Sequence, residues 1–152
     1  LQRAFSVPIR AHKEAAENIR HPRPEGLVKR WLWGQPPSSK VSKLKNYIRF
    51  EDYYFKVLET PGIGPGHICL FEPERGWLFS GRLLAESELK KGRDIKELAR
   101  ELKRVLSLEP RTVFCTAHGV LTDGLSVIES KLRTVEMGIR DEIWDDAWSL
   151  SN

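Results

Sequence analysis

The stretch at residues 59–82 limits the possible folds of this chain more than any other part of it, reading E-T-P-G-I-G-P-G-H-I-C-L-F-E-P-E-R-G-W-L-F-S-G-R. Its front is a Gly/Pro loop. Behind it, His67, Cys69 and Phe71 alternate with Ile68 and Leu70, the two-residue period of a strand with both faces occupied. Glu72-Pro73-Glu74-Arg75-Gly76 is turn chemistry, Pro73 fixing φ early and Gly76 free to take positive φ late. Trp77, Leu78 and Phe79 then return antiparallel. The segment reads as a buried β-hairpin entered through a rigid loop.

The rest of the chain arranges itself around that hairpin. Residues 7–11 read as a short strand with Pro8 near its start, and 12–19 as a short helix. His21-Pro22-Arg23-Pro24 stops it, since a residue before proline avoids the α region. Residues 25–33 offer a second short helix with Leu27, Val28, Trp31 and Leu32 on one side. Residues 34–39 are a plain loop. Lys40, Lys43 and Lys45, with Arg49 beyond, make a basic run that is either a phosphate-binding patch or a solvated loop, and the solvated loop is preferred. Residues 47–50 and 53–58 flank Glu51-Asp52 as a further hairpin.

After Arg82 the helical signals are clear. Asp94 with Glu97 resembles a capping box, and Ile95, Leu98, Ala99, Leu102, Val105 and Leu106 recur at helical spacing up to Leu108-Glu109-Pro110. Residues 112–115 form a β-branched and aromatic strand. A last helix starts near Asp123 or Ser126 with Leu125, Ile128, Leu132 and Val135 as its stripe. Trp144 and Trp148, four apart, suggest a further helix laid on the body.

Length and composition bound the classes. A chain of 152 residues with 40% hydrophobic and 30% charged residues is expected to be one domain, 1–152, with a real core. No apolar run approaches the ~20 residues of a membrane helix, and the first residues lack the apolar core of a signal peptide. Cys69 and Cys115 form neither a framework nor a C-x-x-C pair, so a reduced, cytoplasmic setting is expected. The net charge of +4 is mild, and a nucleic-acid-binding module built on residues 40–49 ranks low. Leu1 in place of an initiator Met leads to the expectation that an amino-terminal part of a larger protein precedes it.

These motifs resemble the metallo-β-lactamase-fold hydrolases, in particular the glyoxalase II type. That family reads H-T-P-G-H-[ST]-x-G-H, a strand, then L-F-[ST]-G-D. Thr60, Pro61, Gly62, Gly66, His67, Leu78, Phe79, Ser80 and Gly81 stand where the family has them. Residues 7–16 resemble its V-P-[IV]-x-A-H strand and short helix, and Thr116-Ala117-His118-Gly119 its P-G-H-G loop. The resemblance implies an α/β fold, the αββα sandwich of metallo-β-lactamases, lacking the amino-terminal strands. The H-x-H-x-D-H motif of the family occurs nowhere in the chain.

Two departures bear on the chemistry. The family's metal-binding His after T-P-G is Ile63 here, and its metal-bridging Asp after L-F-[ST]-G is Arg82. Ile has no lone pair, and Arg stays protonated and only donates. His118 alone keeps its ligand position. A guanidinium about 4 Å from a dication is repelled by roughly 8 kcal/mol at an effective dielectric of about 20. The resemblance with these departures implies a divergent, hydrolase-related protein with a degenerate metal site, inactive as given and with no cofactor. The alternative is a metal-dependent thioester or phosphoester hydrolase that uses His118, upstream ligands and zinc or iron on a small-molecule substrate.

Glu59 takes the place of a family His, and the candidate pocket is Glu59, Ile63, His67, Arg82 and His118. Within it, His67 is read as a structural hydrogen-bonding residue. Arg82 is either a fixed cation in place of the metal or a neutral replacement, the latter preferred. Three glycines at 62, 64 and 66 precede a strand and not a helix, so a phosphate loop is excluded. An incomplete sandwich would leave inner apolar surface uncovered, so a homodimer or partner chain completing the core is expected.

Overall fold

The computed structural model describes residues 8–22, 26, 31–32, 34, 38–85 and 94–150, with residues 140–150 described by their backbone alone. The chain divides into two compact units, 1–45 and 46–152. In the first, β1 (Ile9–Ala11) pairs in parallel with β2 (Val41–Lys43), Ile9 opposite Val41. Between them in sequence lies α1 (Lys13–Arg20), which starts at the cap residue His12 and buries Ala16. Arg20 closes the unit by donating from Nε and Nη2 to the Val41 carbonyl at 3.2 and 2.6 Å.

The second unit is a six-stranded sheet, β3 (Tyr47–Phe50), β4 (Tyr53–Glu59), β5 (Ile68–Glu72), β6 (Trp77–Gly81), β7 (Thr112–Cys115) and β8 (Gly119–Leu121), in that spatial order. Every neighbouring pair is antiparallel except β6 and β7, which run parallel. A parallel pair needs a crossover, and α2 (Ile95–Leu106) supplies it. A final helix, α3 (Gly124–Leu150), follows β8.

The two-residue period read at 67–71 sorts the side chains of the central strands. Cys69 and Phe71 of β5, Leu78 and Ser80 of β6, and Val113 and Cys115 of β7 are buried. The apolar ones among them share one core with Leu98, Leu102 and Val105 of α2 and Ile128, Leu132 and Val135 of α3. Both helices therefore cover one face of the sheet. A fully buried Leu such as Leu78 contributes about 1.5–3 kcal/mol relative to exposure.

The opposite face carries half-buried aromatics. Phe79 and Phe114 stack with centroids 4.5 Å apart, Phe55 meets Phe79 edge-on at 5.8 Å, and Tyr53 lies over Trp77 at 6.1 Å. The Arg75 guanidinium sits 4.6 Å from the Tyr53 ring centroid, a cation–π contact. The backbone amide of Arg75 donates to the buried Glu72 carboxylate at 2.7 Å. Gly76 takes φ +66°, which turn chemistry required, and its carbonyl accepts from Arg111 and Thr112.

Local signals account for the helix ends. Asp94 Oδ1 accepts from the Glu97 amide at 2.9 Å, the expected cap. Pro110 cannot continue α2, and Glu109 turns the chain away at φ +49°.

Four readings change. Lys43 belongs to β2, so the basic run at 40–45 is only in part a loop, while Arg49 lies in the expected strand at 47–50. Gly119, Val120 and Leu121 form β8, a strand too short to show alternation. Leu125 is 37% exposed and Lys131 takes a place in the buried stripe of α3. The segment with Trp144 and Trp148 continues α3 with no break from the helix before it. In the helix read at 25–33, Trp31 and Leu32 are helical and exposed, and Leu27, Val28 and Trp33 lie outside the described residues. No described helix is long and apolar enough to cross a membrane.

Candidate functional site

Strands β4, β6 and β7 end, and β5 begins, at one edge of the sheet, because β4 pairs with β5 from Glu59 opposite Ile68, and β6 with β7 as far as Gly81 opposite Cys115. The five candidate residues lie at or beyond that edge. Glu59 closes β4, Ile63 is in the Gly/Pro loop, and His67 precedes β5. Arg82 follows β6, and His118 lies in the turn between β7 and β8.

The loop at 60–67 is closed on itself and clamped from below. The Thr60 amide donates to the His67 carbonyl at 3.0 Å, that of Ile63 to the Thr60 carbonyl at 3.2 Å, and that of His67 to the Gly64 carbonyl at 3.1 Å. Two side chains of α2 hold it. The Gly62 amide donates to Glu101 Oε1 at 2.8 Å, and Arg104 donates to the Glu59 carbonyl. Gly62 allows the approach, since a Cβ there would lie 2.8 Å from both Glu101 Oε2 and the Leu98 amide nitrogen. Packed this way, Ile63 is 1% exposed and belongs to the hydrophobic core.

His67 ties this loop to the end of β6. The Arg82 amide donates to its Nε2 at 3.2 Å, and its Nδ1 lies 2.6 Å from Thr60 Oγ1. A backbone amide only donates, so Nε2 accepts and the proton of a neutral ring is on Nδ1, directed at Thr60. Thr60 Oγ1 in turn lies 3.7 Å from Cys69 Sγ, which donates to the Ser80 carbonyl at 3.4 Å. Gly81, at φ +55°, leaves room for the ring, because a Cβ would meet His67 Nε2 at 2.8 Å. The imidazole thus spends both nitrogens inside the protein.

His118 differs. It is exposed, and among the described residues its imidazole has no hydrogen bond, so both nitrogens remain open to a ligand. On the same edge, the Thr116 amide and hydroxyl both donate to the Gly81 carbonyl, at 3.1 and 2.9 Å, joining the His118 turn to the residue before Arg82. Arg82 itself is exposed. Among the described residues, no three His, Cys, Asp or Glu side chains converge as a metal-binding group.

Burial pushes the Cys69 thiol from its usual 9.0 up to about 12, only partly offset by the hydrogen bond from Thr60. Burial also raises the Glu101 carboxyl above its usual 4.5, against the lowering effect of the Gly62 amide; Glu97 adds to the rise, and Arg104 and Arg100 oppose it. Glu101 and Arg104 were missed in the sequence as holders of the loop. The signal for Glu101 was present: a carboxylate three residues after Leu98, inside the apolar stripe of α2.

Comparison with known proteins places this geometry. Residues 1–118 match the model of the metallo-beta-lactamase superfamily. An uncharacterized protein of Aquifex aeolicus (strain VF5) is 39% identical over 94 residues, covering 58% of this chain and 44% of that protein. A metallo-beta-lactamase family protein from Thermus thermophilus superposes with a TM-score of 0.67 at 19% identity, over 86% of this chain and 53% of the other. An archaeal superfamily protein from Sulfolobus tokodaii gives 0.69 at 17% identity, over 88% and 60%. TTHA1623, solved in a di-iron-bound form, gives 0.59 at 30% identity, over 82% and 64%. This chain thus spans about half the length of the relatives it matches.

Proposed function

This chain belongs to the metallo-beta-lactamase superfamily, and we propose that it is a divergent, hydrolase-related member whose metal site is degenerate and which is inactive as given. The observation that carries the reading is Ile63. The position that would present a metal-binding imidazole holds a side chain without a donor atom, 1% exposed and part of the core. Arg82 supports it further, since a permanent cation stands where a bridging carboxylate is needed. One His is short of the three protein ligands a catalytic zinc takes. The described residues do not fit a metal centre.

A second reading has one observation in its favour. His118 keeps an exposed imidazole with open nitrogens, and TTHA1623 carries a di-iron centre on a similar fold. In that reading the chain contributes His118 to a metal-dependent thioester or phosphoester hydrolase, with zinc or iron held also by residues outside this sequence.

Elemental analysis of the purified chain separates the two. The degenerate-site reading expects less than about a tenth of an equivalent of zinc, iron or manganese after equilibration with each metal and desalting, weaker than any three-ligand site retains. Close to one equivalent, lost on His118→Ala, would overturn it in favour of the second reading.

A further inference from the structure

The hairpin of β3 and β4 gathers exposed aromatic side chains. Tyr47, Phe50 and Tyr54 are 47%, 63% and 41% exposed, whereas an edge left to solvent is ordinarily blunted by charge, Pro or a bulge. Among the described residues, β3 is the outermost strand on its side of the sheet. Its register against β4 divides its side chains between two faces. Tyr47 and Arg49, opposite Lys56 and Tyr54, lie on one face, and Ile48 and Phe50, opposite Phe55 and Tyr53, on the other.

The hydrogen-bond phase of the hairpin decides which backbone groups face outward. The Val57 amide donates to the Asn46 carbonyl at 2.9 Å, one step beyond the pair of Tyr47 with Lys56. Hydrogen-bonded and non-hydrogen-bonded pairs alternate along an antiparallel ladder. Ile48 and Phe50 therefore turn their amides and carbonyls toward β4, and Tyr47 and Arg49 turn theirs to the outer side. That edge offers two donors and two acceptors.

We infer that this edge is an interface between two copies of this chain, β3 of one pairing antiparallel with β3 of the other to make one continuous sheet. A two-fold axis normal to the sheet requires antiparallel strands and keeps each face continuous, so residues of like face must meet. With Ile48 opposite Ile48, Tyr47 of each copy lies opposite Arg49 of the other. All the outward amides and carbonyls are then hydrogen-bonded. Each guanidinium also meets a Tyr47 ring that is stacked on Tyr54 with centroids 5.8 Å apart. Lys45 precedes the strand and Glu51 follows it, both exposed, and the same register sets one against the other across the axis. Sliding by two residues sets Arg49 against Arg49 or against Lys45, which like-charge repulsion opposes. This self-complementarity of charge, rings and backbone selects a second copy over an unrelated peptide.

Analytical ultracentrifugation of the purified chain and of edge variants tests the interface. The wild type should show a monomer–dimer equilibrium with a Kd on the order of 10 µM, as small interfaces give. Arg49→Pro removes an outward amide that β4 does not use, so the fold is kept while association weakens at least about tenfold. Arg49→Glu, at an exposed position, should weaken it likewise, and decides the matter if Arg49→Pro fails to fold. Cross-linking reads the register. A non-hydrogen-bonded pair brings its Cα atoms to about 4.5 Å, within the span of about 4.4–6.8 Å that a disulfide bridges. Ile48→Cys treated with oxidised glutathione should therefore give a covalent dimer. Phe50→Cys, which lies opposite Asn46, should not, and neither should the wild type, whose Cys69 and Cys115 are buried.

A wild type that stays monomeric at millimolar concentration overturns the inference. So does a dimer that both Arg49 variants leave equally strong, or equal cross-linking of Ile48→Cys and Phe50→Cys. Absence of the Ile48→Cys cross-link in a dimer that the Arg49 variants weaken overturns the register.

Discussion

Glu101 offers the most searching check on how the loop at 60–67 is held. It accepts from the Gly62 amide through Oε1, while Oε2 is buried with no hydrogen-bond partner among the described residues. Glu101→Ala leaves that amide buried and unpaired, a cost of about 1–3 kcal/mol. For a chain of this size each kcal/mol moves Tm by about 2–4 °C, so a fall on the order of 3–10 °C is expected. Glu101→Gln keeps the acceptor and removes the charge, which separates the hydrogen bond from the ionisation.

The sign of the pH effect follows from the raised pKa. A carboxyl that holds its proton more tightly when folded stabilises the fold fully below its unfolded pKa, near 4.5. That contribution is lost as pH rises through the higher folded value. Glu101→Gln does not titrate, so its Tm minus that of the wild type should be smallest near pH 4, rise with pH and then level off. Circular dichroism melts from pH 4 to pH 8, comparing the two proteins at each pH, measure this while other titrating groups cancel. A difference that stays flat or falls with pH would refute the argument, because Glu101 would then not be held in a desolvated position.

Two further outcomes follow from the packing. With its thiol raised to about 12 and no exposed surface, Cys69 should resist iodoacetamide at pH 8 in the native protein and react once guanidinium unfolds it, which mass spectrometry of the alkylated peptide reads. Gly124 begins α3 where a Cβ would overlap Val113 Cγ2, so Gly124→Ala should lower stability in urea by about 1–3 kcal/mol, and Val113→Ala in the same chain should recover part of it.

Much of the second unit was legible because local chemistry and tertiary packing agree there. Asp94 caps α2 as its spacing with Glu97 requires, Gly76 adopts the positive φ its turn needs, and the alternation through Cys69 and Phe71 matches the two faces of the sheet. One failure in the reading of α3 has a physical reason. A lysine is ordinarily placed in solvent, yet Lys131 buries its stem and spends its ammonium on a carbonyl distant in sequence, while Leu125 turns outward. No periodicity records an acceptor forty-six positions away. A cavity of about 630 Å³ beside His118 was hidden for the same reason, since Leu84, His118, Leu121 and residues of α3 that line it are brought together only by the folded chain. The role of α2 in gripping the Gly/Pro loop is likewise a contact between segments that look independent in sequence.

The single parallel pairing in the sheet has a kinetic consequence. Strands β5 and β6 join across a turn at 73–76, whereas β6 and β7 can meet only after residues 82–111 have been gathered. Loop-closure entropy makes the second event costlier by roughly 2 kcal/mol before any contact rewards it. The meander of β3 to β6 is therefore set to assemble first, and α2 must dock before β7 finds its register. Until then β6 is an open edge bearing Trp77 and Phe79, a template on which another chain's strand can pair. The crossover that completes the sheet also decides how long the nascent protein stays vulnerable to aggregation.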